Sequence, residues 1–310
     1  MQLRWRILRL IRDTLPDSAV AWLRKSFDEA VWVLPDRLAL KLLYLKSHRR
    51  WPDFDNPKAY SEKVAAARLL DPPYEHLADK VKVKAWVADR IGAEYLIPTL
   101  WSGKSLPPRE ERNWPLPFVI KANNGSGGHI FVEDDPDWPA IEERVEALLA
   151  CDYGKQTHEY FYSRIDPMIM VEPKIGNGVL PIDYKYFTFG GRVPLFTVTT
   201  ERHLGRKETF FYPDGRRAKV DMGQPHDPNV GERAPKESLD MIPIVERLAE
   251  GLPFARVDFY FEDGKALFGE MTLMCGAGLI RVNPPEVDFD LGKAWDGDST
   301  LQLAREGRIC

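Results

Sequence analysis

Apolar residues recur first at helical spacing and later in alternation, and the switch divides the chain. Leu3, Ile7, Leu8, Ile11 and Leu15 follow a helical period with Arg4, Arg6, Arg9 and Arg12 between them, and Pro16 closes the segment. This predicts a basic amphipathic helix. From Pro35 to Ile97 the pattern stays helical: Leu38, Leu42 and Leu45, then Val64, Ala67 and Leu70, then Val83, Val87 and Ile91, with short Pro-containing connections. After Pro98 the period changes. Pro117–Lys121, the Gly-rich Asn123-Asn-Gly-Ser-Gly-Gly128 and His129–Val132 read as strand, turn and strand, a β-hairpin with a flexible tip. A charged helix is predicted over about residues 139–151, then strands at Met168–Glu172, Tyr184–Phe189 and Val193–Thr199, and a last hairpin from Arg256–Phe261 and Ala266–Thr272. The Pro-rich, charged stretch 221–237 predicts a long loop of the kind that serves as a lid or binding loop.

Composition narrows the class. With 310 residues, 44% hydrophobic and 11% aromatic, the chain has the apolar surface for about two domains. Cys151, Cys275 and Cys310 form neither a metal-ligand pair nor a disulfide framework, which fits a reducing compartment. No apolar run approaches the roughly 18 residues of a membrane span, and the N-terminus lacks a signal-peptide cleavage site, so a cytoplasmic protein is expected. The net charge of -4 hides an asymmetry, because residues 1–50 hold 11 Lys and Arg against 5 Asp and Glu. Residues 1–15 read either as a helix lying on anionic lipid at the inner face of the membrane, with Trp5 near the interface, or as a helix packed on its own protein. No basic stripe with interleaved aromatics occurs beyond it, which disfavours nucleic acid as a partner.

Three constellations carry candidate chemistry. The glycines at 125, 127 and 128 let backbone N–H groups approach an anion, and Lys121 just before them supplies a cation; ordinary hairpin turns use the same residues. The dinucleotide and Walker patterns both fail here, since Ile130 and Pro98 stand where glycines are needed. The last hairpin permits a geometric argument. A three-residue loop of Asp263, Gly264 and Lys265, pairing Glu262 with Ala266, sets Asp258 opposite Glu270 and Arg256 opposite Thr272 on one face. Val257, Phe259, Phe261, Leu267 and Met271 then form the core face. Side-by-side carboxylates repel unless a cation bridges them, and Mg²⁺ on nucleotide phosphates commonly uses one or two protein carboxylates. A surface set of ion pairs with Arg256 and Lys265 is the competing reading, and a two-residue loop would separate the carboxylates. Thirdly, Met168-Ile-Met-Val-Glu172-Pro-Lys174-Ile175 is an apolar strand running out into backbone that could meet a purine edge, or simply a strand end. Lys185, among Tyr184, Tyr186 and Phe187, reads as a snorkelling lysine before a catalytic one.

Taken in order, the motifs resemble the ATP-grasp superfamily, and within it the TupA-like branch named after the teichuronopeptide biosynthesis protein. They are Leu34-Pro-Asp-Arg37, Asn56-Pro-Lys-Ala-Tyr-Ser-Glu-Lys63, Asp79-Lys80-Val-Lys-Val-Lys84, Val119 through Gly128, Asp183-Tyr-Lys-Tyr-Phe187, and Pro253 through Asp258 with Phe268 through Thr272. The resemblance implies an α+β fold whose two subdomains grip ATP, preceded by a helical N-terminal region. The expected divisions are 1–33 (basic helix), 34–115 (helical region), 116–175 (glycine-hairpin lid) and 176–310 (subdomain with the metal site). It implies Lys80 and Lys121 as nucleotide lysines, Gly125, Ser126, Gly127 and Gly128 as the flap over phosphates, and Glu172, Lys174 and Ile175 as the hinge at adenine. Asp183 falls at the ribose position, Lys185 at a phosphate-side or substrate-side cation, Arg256 at the phosphate-side arginine, and Asp258 and Glu270 at the Mg²⁺ carboxylates. Thr272 replaces the usual Asn as third metal position, and Cys275-Gly-Ala-Gly278 replaces the commoner Pro-Gly start of the acyl-substrate loop.

The chemistry implied is ATP-dependent ligation: a carboxylate is phosphorylated to an acylphosphate, and an amine displaces phosphate to give an amide. Bacterial capsule or other cell-surface polysaccharide synthesis is the implied setting, with a sugar-linked acid and an amine as substrates. Arg202 and His203 are candidates to touch acid or amine, or are an exposed strand end. Two alternatives stand beside it, a kinase of a hydroxyl substrate on the same fold and a nucleotide-binding scaffold in a membrane-associated synthesis complex.

Overall fold

The computed structural model describes residues 18, 31, 33–70, 73, 75–176, 181–201 and 205–296. Arg202, His203 and the basic segment 1–15 lie outside the described residues. The described residues form two compact units, one up to Pro52 and one from Asp53 on.

In the first unit, helix α1 (Asp36–His48) follows Pro35 and stops at Arg49, which takes a left-handed conformation. Its buried residues are Ala39, Leu40 and Tyr44, while Leu38 is exposed. The expected stripe of Leu38, Leu42 and Leu45 is therefore not the inward one, which Ala39, Leu40 and Tyr44 form instead.

The second unit is α+β. Helix α2 (Tyr60–Leu70) begins where Asp288 accepts hydrogen bonds from Ser61 N (2.8 Å) and Ser61 Oγ (2.6 Å), and α3 (Glu75–Ala78) leads to α4 (Val83–Ile91). The stripe Val83, Val87 and Ile91 is buried as its spacing predicts. Leu70, by contrast, is exposed. A four-stranded antiparallel sheet follows, in the order β1 (Trp101–Gly103), β4 (Ile169–Pro173), β2 (Phe118–Ala122), β3 (Ile130–Val132). Alternation splits this sheet. Phe118, Ile120, Ile130, Val132, Ile169 and Val171 form a core with Ile141 and Val145 of α5 (Trp138–Ala150), leaving Val119, Lys121, Met170 and Glu172 on the other face. Asp137 caps α5 by accepting the Ala140 N–H. The short α6 (Tyr153–Thr157) follows.

The larger antiparallel sheet runs β7 (Lys207–Phe211), β6 (Arg192–Thr200), β5 (Ile182–Phe189), β8 (Phe254–Glu262), β9 (Lys265–Thr272). Tyr184 and Tyr186 project from β5 to one side, where their hydroxyls donate to Glu237 and to the Ser238 carbonyl of α7 (Lys236–Asp240). Lys185 and Asp183 project to the other. Helix α8 (Ile242–Leu248) accepts the Trp86 indole N–H at the Leu248 carbonyl, and α9 (Pro285–Trp295) closes the described chain. Among the described residues no helix is long and apolar enough to cross a membrane.

The β8–β9 hairpin departs from its expected construction. Its loop has two residues, Asp263 and Gly264, both at positive φ, so Glu262 pairs with Lys265 and Tyr260 with Leu267. That register alone would part the carboxylates. A bulge at Gly269 then inserts one residue in β9 and restores Asp258 opposite Glu270 and Arg256 opposite Thr272. The correction moves Leu267 off the core face and puts Phe268 there, buried against Phe259 with ring centroids 5.8 Å apart.

Candidate active site

The β5, β8 and β9 strands bring Asp183, Lys185, Arg256, Asp258, Glu270 and Thr272 onto one face. Lys185 lies beside Asp258 by register, and its Nζ donates to Asp258 Oδ2 (2.6 Å) and to Asp183 Oδ2 (2.5 Å). Arg256 grips Asp258 with both ends of its fork, Nε to Oδ1 and Nη2 to Oδ2, each at 2.7 Å, and the same Nη2 reaches Glu270 Oε1 at 2.8 Å. Its Nη1 points to Cys275 Sγ, 3.4 Å away. Thr272 Oγ1 stands 3.4 Å from Glu270 Oε1.

Burial alone would raise the Asp258 pKa. Arg256 and Lys185 outweigh it and hold the carboxyl at about 2. Burial and Asp258 likewise push Glu270 up, and Arg256, Lys80 and Lys185 bring it below the ordinary range. Burial opposes the charged form of Arg256 too, but Asp258, Cys275 and Glu270 raise its pKa well above normal. Asp258, Glu270 and Arg256 are thus ionised at neutral pH.

One position differs from the sequence expectation. Lys185 does not snorkel, because its ammonium is buried between two carboxylates. Asp183, expected at the ribose position, is fully buried with its Oδ2 on Lys185.

A second group faces the first across a narrow cavity of about 20 Å³, room for one water, lined by Lys80, Lys84, Lys121, Tyr162, Glu172 and Glu270 among others. Glu172 accepts Lys84 Nζ (2.5 Å) and Lys121 Nζ (2.6 Å). Burial would raise its pKa, and the two lysines bring it below the usual range. Glu172, which the resemblance puts with Lys174 and Ile175 at the hinge, lines the narrow cavity with the two lysines, whereas Lys174 and Ile175 do not line it. Glu172 leaves β4 on the cleft face, the same face from which β2 sends Lys121. Burial lowers the pKa of Lys80, and Lys121 adds to this while Glu270 opposes it.

Lys174 and Ile175 line a different and larger pocket of about 330 Å³, together with Ile97, Val119, Lys121, Phe131 and Tyr260. Lys121 borders both spaces. The Lys174 N–H is taken by the Pro117 carbonyl and the Gly176 N–H by Glu262 Oε1 (2.6 Å), whereas the Ile175 N–H makes no hydrogen bond among the described residues.

The flap sits over the narrow cavity. Lys80 Nζ donates to the Gly125 carbonyl, and Gly127 and Gly128 both take positive φ. A Cβ on Gly128 would also lie 2.5 Å from Leu148. The base of the flap is pinned by Asn123, whose side chain accepts Met168 N–H (2.8 Å) and donates to the Asp166 carbonyl (3.1 Å). Lys84 and Asn123 carry no signal of their own in the sequence. Lys84 is legible only as the residue one helical turn beyond Lys80 on the same face of the chain.

For magnesium, the donors present are two carboxylates and a hydroxyl, the hard oxygen set it takes, and Glu270 Oε2 accepts no hydrogen bond among the described residues. Among the described residues no cluster of three or more His, Cys, Asp or Glu has metal-binding geometry. The set fits an ion carried in on phosphates, with protein ligands in the minority.

The sequence profile of the family described as TupA-like ATPgrasp matches residues 63–295. Among solved structures, an L-amino acid ligase from Bacillus licheniformis is similar at 14% identity and a TM-score of 0.44, over 79% of this chain and 56% of that one. A D-alanine–D-alanine ligase from Bacillus anthracis, complexed with ATP, is similar at 15% identity and a TM-score of 0.40, over 64% of this chain and 54% of that one. The corresponding ligase from Helicobacter pylori gives 14%, 0.39, 71% and 60%. The chain spans less than two thirds of the length of each of these three structures. No curated protein sequence matches it.

Proposed function

The chain belongs to the TupA-like ATPgrasp family, with the α+β ATP-grasp fold and helical N-terminal region its motifs imply, and from this premise we propose that it is an ATP-dependent carboxylate–amine ligase of bacterial cell-surface polysaccharide synthesis. The observation that carries the reading is one shared space. Lys80, Lys84 and Lys121 line it together with Glu270, and Arg256 links Glu270 to Asp258. Concentrated cations facing a carboxylate pair are what a nucleotide triphosphate and its metal need.

In this reading Asp258 and Glu270, with Thr272 beside them, would hold Mg²⁺, which when bound neutralises phosphate charge. Lys80 and Lys121 hold the phosphates under the flap of Gly125, Ser126, Gly127 and Gly128. Lys174 and Ile175 offer the larger pocket to the base, with the undonated Ile175 N–H available to a purine acceptor. Arg256 meets charge developing on the transferred phosphoryl group. Asp183 and Lys185 are positioning residues that fix Asp258 from behind. The substrate carboxylate takes the γ-phosphoryl group, ADP leaves, and an amine displaces phosphate to form the amide.

The test is Mg²⁺-dependent ADP release with D-glucuronate, D-galacturonate or UDP-glucuronate, each with and without the twenty amino acids, following product mass. ADP only with acid and amine together, and a product lighter than their sum by one water, is expected. A phosphorylated product without amine would replace the ligase with a kinase, and failure to bind ATP would overturn the site.

A further inference from the structure

The stretch 221–237, whose composition predicts a lid or binding loop, lines neither nucleotide space and instead walls a separate surface cavity of about 540 Å³. Arg217, Lys219, Asp221, His226, Glu232 and Asn283 are among its lining residues. Its floor is the segment 217–221, bridged to the sheet edge on one side and to Asn283 on the other. The Ala218 N–H donates to the Phe210 carbonyl of β7 (2.8 Å), and Asp221 and Asn283 exchange two backbone hydrogen bonds of 2.9 Å. Ala218 and Val220 turn into the core, and alternation leaves Arg217, Lys219 and Asp221 on the open side.

Hydrogen bonds pin the wall in place. The Glu208 N–H donates to the Pro225 carbonyl (2.9 Å), and His226 Nδ1 donates to the Glu208 carbonyl (3.0 Å). Asp227, which is buried, accepts Thr200 Oγ1 (2.5 Å) and the Asn229 N–H (2.9 Å) and donates its own N–H to Thr209 Oγ1 (3.2 Å). A cavity held open in this way fixes its polar groups before any ligand arrives.

Those groups are both donors and acceptors. Lys219 Nζ and the Asn283 side chain make no hydrogen bond or ion pair among the described residues, and the bond from Nδ1 leaves His226 Nε2 as an acceptor. Asp221 gives Oδ1 to the Gly223 N–H (2.6 Å) and keeps Oδ2. Arg217 makes one side-chain bond, 3.2 Å to Glu232 Oε1, and the Glu232 side chain is 85% exposed. A pair so open to water is weak, which makes Glu232 a replaceable occupant of the place a ligand carboxylate would take. Cations alone would suit a phosphate. Cations interleaved with acceptors suit a ligand with a carboxylate and several hydroxyls, since each hydroxyl both donates and accepts. The size is that of sites for ligands well beyond one amino acid.

We propose that this cavity binds an acidic saccharide, a short chain of uronate sugars, with Arg217 and Lys219 on a carboxylate and Asp221, His226 and Asn283 on ring hydroxyls. The assignment rests on the reading above for its setting, since it gives the sugar-linked acid a holding place outside the nucleotide cleft. One segment joins the two regions: the chain that leaves Cys275, in contact with Arg256, runs on to Asn283.

The test is calorimetric titration of the full chain without nucleotide, using trigalacturonate, maltotriose as its uncharged counterpart, and inorganic phosphate. Trigalacturonate should bind, with maltotriose at least about 10-fold weaker and phosphate failing to displace it. R217A and K219A should each weaken trigalacturonate about 10-fold, and E232Q, which removes the competing carboxylate, should tighten it about 3-fold. K219A and E232Q, at exposed positions, carry the test should R217A fail to fold. ATP affinity should be the same in all of these proteins. No trigalacturonate binding, equal binding in every variant, or displacement by phosphate at equal concentration overturns the site, while ATP-dependent ADP release would still support the ligase. The expected pattern in a protein that never binds ATP would remove the ligase reading and leave the saccharide site standing.

Discussion

Asp258 and Glu270 stand directly opposite one another across β8 and β9, and a single nitrogen of Arg256 reaches both, 2.7 Å from one and 2.8 Å from the other. The two carboxylates nevertheless differ in kind. Asp258 is buried and engaged at both oxygens by Arg256 and Lys185, whereas the Glu270 side chain is 35% exposed and shares only one oxygen.

That difference predicts unequal consequences of neutralising them. Glu270→Gln should leave the thermal midpoint almost unchanged while Mg²⁺-dependent ADP release falls by about 100-fold or more. Asp258→Asn should abolish turnover and also destabilise the protein by about 3–5 kcal/mol, since Arg256 and Lys185 would lose their shared partner. The Asp258 contribution is present above the ordinary carboxylate pKa and is lost as pH falls through about 2. Chemical denaturation of both variants at pH 7 checks the contrast; equal stability would show that the buried pair is not what holds this hairpin.

Gly269 should tolerate little. A Cβ there would lie 2.9 Å from the Tyr260 ring and 3.2 Å from the Asp258 carbonyl. Gly269→Ala is expected to cost about 1–3 kcal/mol and to lower kcat by displacing Glu270. Urea unfolding alongside steady-state kinetics measures both, and wild-type values in each would mean the bulge adapts.

Glu172 neutralises Lys84 and Lys121 while no phosphate is present. Glu172→Gln leaves two close ammonium groups, so the midpoint without nucleotide should drop. The rise on adding ATP should then exceed the wild-type rise, because both lysines are free to meet phosphate. Thermal melts with and without ATP decide the point; a smaller rise in the variant would place Glu172 on the nucleotide's side of the balance.

Burial pushes the Glu159 carboxyl up to about 7, with Arg68 opposing, and this has a stability signature. A carboxyl that ionises at about 4.5 unfolded and about 7 folded favours the fold below pH 4.5, and that advantage is lost as pH rises to about 7. E159Q lacks this dependence. Its stability relative to wild type should therefore climb between pH 4.5 and 7 by about 3 kcal/mol in total and stay level above. Urea titrations across that range check it, and a flat difference would show that Glu159 ionises normally.

The residues alone determined what is local. The helical period placed Val83, Val87 and Ile91 inward, and alternation put Lys121 on the strand entering the glycine flap and set Arg256 and Asp258 on one face of β8, because period and turn chemistry act over a few neighbouring residues. Tertiary structure decided what joins across strands and between sheets. The β8–β9 register came from a two-residue turn offset by a bulge, two departures that cancel and that alternation counted from the turn cannot see; the glycine at 269 was the one local hint. Which carboxylate each lysine takes was decided the same way. Lys185 between Asp183 and Asp258 and Lys84 on Glu172 both follow from packing segments far apart in sequence, where burial leaves a charge only the partners that the fold brings within reach.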